Sequence, residues 1–204
     1  MNQRESWPGE QPDISEVEEQ VEEAESEVDE AYGDDDDEEP ELHAHEHPED
    51  GIQIPDDVEL LEGEVRSGRR GIGVVLARTS PETANALLQA ALAELESAGI
   101  GREQVTVMLV PGPFELALGA MALAKTRRYA CVVALGDATG SSVIAGEAAS
   151  GLQLAALETG IPVSFGVLTP GDADAATDRG TQAVRTGLEM ADVFQQLRAT
   201  AKAT

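Results

Sequence analysis

The side chains of this sequence that could do chemistry gather in four short stretches. Gly136-Asp137-Ala138-Thr139-Gly140-Ser141-Ser142 brings free backbone N–H groups and the hydroxyls of Ser141 and Ser142 into one glycine-rich turn, which is equipment for holding an anion. The turn lacks the lysine of a P-loop, which argues against nucleotide hydrolysis. Arg78-Thr79-Ser80, Pro111-Gly112-Pro113-Phe114-Glu115 and Phe165-Gly166-Val167-Leu168-Thr169 add a guanidinium, a carboxylate, hydroxyls and two aromatic rings. Two further features carry less. The single cysteine, Cys131, stands in an apolar run and reads as a small core residue, not a nucleophile. His43, His45 and His47 alternate among carboxylates at a spacing that can bind a transition metal. Nothing fixes their geometry, however, and no metal site is assigned.

The elements that must position these stretches follow from periodicity. Gly71-Ile72-Gly73-Val74-Val75-Leu76-Ala77 and Val105-Thr106-Val107-Met108-Leu109-Val110 are short apolar runs, hence buried strands. Cys131 to Leu135 and Pro162 to Leu168 supply two more. Between the first two, Thr79-Ser80-Pro81-Glu82 offers a hydroxyl cap, an early proline and an acid, which starts a helix. Ala84, Leu87, Leu88, Ala91, Leu92 and Leu95 mark its apolar face, and Gly99 stops it. Further helices are expected from Pro113 to Ala124, from Val143 to Leu157, and from about Asp172 onward with Met190, Val193, Phe194 and Leu197 on one face. Apolar strands alternating with amphipathic helices predict an α/β fold with a parallel sheet covered on both faces. The four stretches then fall at the carboxyl ends of the strands, where such sheets bind ligands.

The rest of the chain is of another kind. Of 204 residues with a net charge of -27, residues 1–64 hold 27 acids and one base, while residues 65–204 are close to neutral. Residues 1–57 read as a largely disordered acidic tail, because they cannot bury enough apolar surface to offset ordering entropy. Within it Ile14, Val17, Val21, Ala24, Val28 and Ala31 follow a heptad spacing. Their flanking glutamates repel in a self-paired coil, which favours a transient helix in a solvated tail over the alternative, a docking helix for a basic or apolar-grooved partner. Such a tail repels nucleic acid and anionic membranes and suits a basic protein partner. A lone cysteine excludes an intrachain disulfide framework and fits a reducing compartment. The opening Met-Asn-Gln-Arg-Glu has no apolar core of a signal peptide, and no run reaches the about 18–20 apolar residues of a membrane helix. A cytoplasmic location is expected.

Taken in order, Val110-Pro111-Gly112-Pro113-Phe114-Glu115-Leu116, Ala134-Leu135-Gly136, Ala145-Gly146-Glu147-Ala148-Ala149, Phe165-Gly166-Val167-Leu168-Thr169 and Glu189-Met190-Ala191 resemble the lumazine synthase family. Val58 to Val65 resembles that family's leading strand, so the resemblance covers the body, residues 58–204, and none of the tail. It implies a flavodoxin-like three-layer sandwich, assembly as a homo-oligomeric pentamer or pentamer-based shell, and sites between neighbouring subunits. The implied reaction condenses an aminouracil with a four-carbon keto-phosphate to a lumazine, without a cofactor. By the same resemblance Thr79, Pro113, Phe114, Glu115, Asp137, Ala138, Thr139 and Phe165 meet the aminouracil, lumazine or flavin-type ligand. Ser141, Ser142 and Arg179, fourteen residues after Phe165, meet the phosphate.

Three departures from the family pattern bear on activity. Thr79 stands where the family stacks an aromatic ring, and a threonine cannot stack. The loop between Gly136 and Ala145 is several residues short and lacks the family's histidine, and residues 65–204 contain no histidine at all. An imidazole with a pKa near 6.5 is suited to shuttling protons here, and general catalysis of that kind supplies typically about 10²–10⁴-fold. The segment between Arg179 and Glu189 is also short. No catalytic residue is therefore assigned. The expectation is a family member with weak or lost condensation activity and retained assembly. The alternatives are a noncatalytic shell or a flavin- or lumazine-binding protein, with the acidic tail recruiting basic partners.

Overall fold

A computed structural model describes residue 55, residues 60–66 and 68, and residues 70–172 and 175–203. The acidic run, the heptad stripe and the three histidines lie outside the described residues. Four strands, β1 (Gly71–Ala77), β2 (Val105–Val110), β3 (Tyr129–Asp137) and β4 (Val163–Leu168), alternate with four helices. These are α1 (Pro81–Ser97), α2 (Leu116–Lys125), α3 (Ser142–Thr159) and α4 (Ala176–Ala203). The sheet is parallel throughout, in the order β2-β1-β3-β4. It is the α/β parallel sheet that the patterning predicts, in the flavodoxin-like form that the family resemblance implies.

Each strand sends alternate side chains to opposite faces. Val75, Ala77, Val132, Ala134 and Val167 pack against Leu116, Ala120, Leu123, Leu152 and Ala155 of α2 and α3. Val74, Leu76, Val133, Leu135 and Leu168 pack against Leu87, Ala91, Leu95, Val184 and Leu188 of α1 and α4. Helix ends follow the sequence signals. The Ser80 hydroxyl accepts from the Thr83 amide with Pro81 at the first turn. At the other end of α1 the Ile100 N–H bonds the Leu95 carbonyl at 2.9 Å and Gly99 adopts φ 79°, a left-handed stop.

Three expectations are corrected. First, the buried face of α4 is not Met190, Val193, Phe194 and Leu197: Met190 and Leu197 are exposed, and Gly180, Ala183, Val184, Gly187 and Leu188 face the protein. The contact is built from small residues, because α4 approaches its neighbours closely. A Cβ on Gly180 would lie 2.6 Å from the Leu87 carbonyl oxygen of α1. Second, β2 is an edge strand and is not covered on both faces: Val107 and Leu109 are exposed. Third, residues 60–66 form no strand among the described residues and lie along α4 instead. Asp192, a buried carboxylate on α4, is the hub. Its Oδ1 accepts from Arg66 Nε at 2.9 Å and pairs with Arg66 Nη2 at 2.7 Å. Its Oδ2 accepts from the Glu64 amide at 3.2 Å and from Gln196 Nε2 at 2.8 Å, and Gln196 also donates to the Glu62 carbonyl. Burial alone pushes the Asp192 carboxyl up. The hydrogen bonds from Gln196, Arg66 and Glu64 outweigh it and hold the group below its ordinary range.

Candidate functional site

The sequence places its chemistry-bearing stretches at the carboxyl ends of the strands, and the chain brings most of them to that edge in two adjoining halves. The Arg78 amide donates to the Val110 carbonyl at 3.1 Å and joins the loop after β1 to the end of β2. The Ala138 amide donates to the Leu168 carbonyl at 2.9 Å and joins the loop after β3 to the end of β4. β1 and β3 are neighbours in the sheet, with Leu76 opposite Leu135, so the two halves are contiguous.

In the first half Thr79 is exposed just before the cap of α1. Pro113, Phe114 and Glu115 form one 3-10 turn ahead of α2. Phe114 is 63% exposed, so it is not a core aromatic; its ring is available to a ligand or another chain. Glu115 is partly buried, and its carboxylate folds back to within 3.2 Å of where a Cβ on Gly112 would stand.

In the second half the short turn after β3 satisfies itself. Asp137 Oδ1 accepts from the Thr139 amide at 3.0 Å and the Thr139 hydroxyl at 2.7 Å. Ala138 is buried beneath this turn. Ser141 is the N-cap of α3, its Oγ accepting from the Ile144 amide at 3.3 Å, while the neighbouring Ser142 is exposed. The loop after β4 carries a second closed arrangement that the sequence reading missed. Asp172 Oδ2 accepts from the Thr169 amide at 3.0 Å, the Thr169 hydroxyl at 2.8 Å and Arg179 Nη2 at 2.8 Å. Only 15% of the Arg179 side chain is exposed, so it is not an ordinary surface arginine. Burial pushes the Asp172 carboxyl up, but the Thr169 and Arg179 bonds prevail and hold it below the usual carboxylate range. An acid at a helix entry with an arginine seven residues later was the available signal, though helical spacing alone does not bring the two together.

Phe165 stands apart from the others. It pairs with Ala134 within the sheet, below the strand end, and packs partly buried on the α2–α3 side. Arg179 belongs to α4, on the other face of the sheet. One chain therefore does not bring Phe165 and Arg179 into one pocket. The cleft lined by Arg66, Ile72, Ala130, Leu188 and Asp192 lies at the opposite, amino end of the sheet. Among the described residues no group of three or more His, Cys, Asp or Glu could hold a metal ion. No helix there is long and apolar enough to cross a membrane. Cys131 is fully buried and its thiol is pushed up to about 12 by that burial, which removes it as a nucleophile.

Against known proteins, residues 70–200 match the model of a family described as 6,7-dimethyl-8-ribityllumazine synthase. The chain is 35% identical over 153 residues to the 6,7-dimethyl-8-ribityllumazine synthase of Yersinia pestis (strain Pestoides F), covering 68% of this chain and 98% of that protein. The protein of the same description from Yersinia pseudotuberculosis (serotype O:1b, strain IP 31758) matches with the same identity and coverage. Because 68% of this 204-residue chain is fewer than 153 residues, the alignment carries gaps on this side, in keeping with shortened loops.

Proposed function

Because this chain belongs to the 6,7-dimethyl-8-ribityllumazine synthase family of riboflavin biosynthesis, we propose that it is a member whose condensation activity is weak or lost and whose assembly is retained. The turn after β3 carries the reading. It has no imidazole, and its Asp137 carboxylate and Ser141 hydroxyl oxygen are already engaged inside the turn. A proton shuttle between amine, carbonyl and leaving phosphate has no imidazole to carry it here. Thr79 offers no ring to stack on a pyrimidine, and Asp137 adds negative charge where an anionic substrate would enter. What remains is positioning, by Pro113, Phe114, Glu115, Ala138, Thr139 and Phe165 around the ring and by Ser141, Ser142 and Arg179 toward a phosphate. The test is lumazine formation by the purified protein with both substrates against a no-enzyme control. A rate at background supports the reading. A rate like that of a histidine-bearing family member overturns it.

Retained assembly is supported by apolar side chains left exposed on the α2–α3 layer: Phe114 (63%), Leu118 (73%), Val143 (70%), Leu154 (52%) and Leu157 (75%). A surface of this kind is characteristic of a subunit interface. The assembly we propose is a homo-oligomer, a pentamer or a shell of pentamers, in the cytoplasm. Pooling Phe165 of one copy with Arg179 of another would then complete a site that a single chain leaves divided. A noncatalytic scaffold is the second reading. Repetition of a tail carrying 24 acids would concentrate negative charge and recruit basic proteins. Native mass measurement showing only monomers refutes assembly in both readings. Titration with riboflavin and lumazine decides whether a flavin-type ligand still binds.

A further inference from the structure

Three hydrogen-bond donors converge on one oxygen at the carboxyl end of β4. The Thr169 amide, the Thr169 hydroxyl and Arg179 Nη2 stand 3.0, 2.8 and 2.8 Å from Asp172 Oδ2. A backbone N–H, a hydroxyl and a guanidinium on one oxyanion are the donors that bind a phosphate. The first turn of α4 begins four residues beyond Asp172, and Arg179 stands in it. The cradle is shielded but reachable, with Arg179 and Asp172 side chains 15% and 20% exposed. What fills it is part of the same loop.

We propose that Asp172 is a built-in ligand, its carboxylate occupying an anion cradle of Thr169 and Arg179 that would otherwise accept a phosphate group. The inference deepens the reading above, on which it rests for the identity of the anion. A tethered carboxylate is present at high effective concentration and carries no translational cost, so a free phosphate must displace it to enter. Arg179 is thereby present in the chain but spoken for. This gives the weakened enzyme a cause separate from the missing imidazole, and one that a single substitution lifts.

The probe is inorganic phosphate, titrated into the full-length chain and followed by calorimetry and phosphorus NMR at physiological ionic strength. Asp172→Ala is expected to bind phosphate on the order of tenfold more tightly than the parent chain, the scale of a lost charge-assisted bond. The double variant Asp172→Ala, Arg179→Ala is expected to lose that gain. Asp172→Asn keeps the side-chain volume and stands in if the alanine variant fails to fold, and should show a gain in the same direction. Equal phosphate affinity in the parent and the Asp172 variants overturns the proposal, as does a gain that survives loss of Arg179. The lumazine assay on the parent chain is read separately. A parent that is inactive, with Asp172 variants that gain no phosphate affinity, sinks this inference and leaves the functional reading standing. A fully active parent sinks the functional reading whatever the phosphate titration returns.

Discussion

Ser164→Ala should make this protein more stable, although it deletes a polar group from a strand. Ser164 is 3% exposed in β4, and its Oγ has no hydrogen-bond partner among the described residues. It lies under Gly187 of α4: a Cβ placed on that glycine would stand 3.3 Å from Ser164 Oγ and 3.2 Å from Cys131 Sγ. A hydroxyl left dry and unpaired costs about 1–3 kcal/mol by mutational measures, while removing it leaves a void smaller than a methylene. The net expectation is a gain of about 1 kcal/mol, or about 4 °C in Tm for a domain of this size. The assay is urea unfolding followed by far-UV circular dichroism, because the single tryptophan, Trp7, lies in the tail. Protein concentration is held fixed, since assembly shifts apparent stability. The midpoint should rise with the slope unchanged. Gly187→Ala should cost about 1–3 kcal/mol by overpacking, and less in the Ser164→Ala background, where one of the two close atoms is gone. A Ser164→Ala protein less stable than its parent refutes the reasoning, for the hydroxyl would then be satisfied.

The other predictions concern charge, reactivity and assembly. Both Asp172 and Asp192 have carboxyl pKa values held below the ordinary range, so the stability they confer is complete at neutral pH. It is lost as the pH falls below about 4 toward their folded values, and an acid titration of Tm on Asp192→Asn should show a shallower decline than on the parent. The same variant should also become sensitive to limited proteolysis between residues 60 and 70, since the Glu64 and Arg66 contacts go with the carboxylate. Cys131 should not react with a thiol reagent at pH 8 in the folded protein and should react fully in denaturant, as its thiol titrates only at about 12. Leu157→Glu, on a side chain 75% exposed, should leave the fold intact and lower the native mass; an unchanged oligomer would place the interface elsewhere.

How far the sequence carried is clearest at individual elements. β1 and β2 begin and end where their apolar runs do, and the Ser80 cap and Gly99 stop stand where local chemistry puts them. These features depend on neighbours in the chain, so one sequence suffices. The face of α4 did not come out, because its contacts are made by Gly180, Ala183 and Gly187, and small residues mark close approach without adding hydrophobicity. The exposure of Val107 and Leu109 follows from β2 being at the edge of the sheet, a fact of strand order that no strand carries in its own residues. The candidate site divides in the same way. Its loops were legible from strand ends. The engagement of Arg179 by Asp172 was not, since it needs the path of the loop between β4 and α4.

The ties between residues 62–66 and α4 have a consequence for the newborn chain. They join positions 126, 128 and 134 residues apart, among the widest separations a body of this size allows. The leading segment leaves the ribosome before any strand of the sheet, yet the residues that hold it belong to the last helix made. The hydrogen bonds that hold it to α4 can form only once that helix has been made, so this docking follows completion of the sheet and of α4. Attachment of residues 62–66 to α4 is therefore a late event, and a nascent chain stalled before Asp192 would carry that segment without these ties.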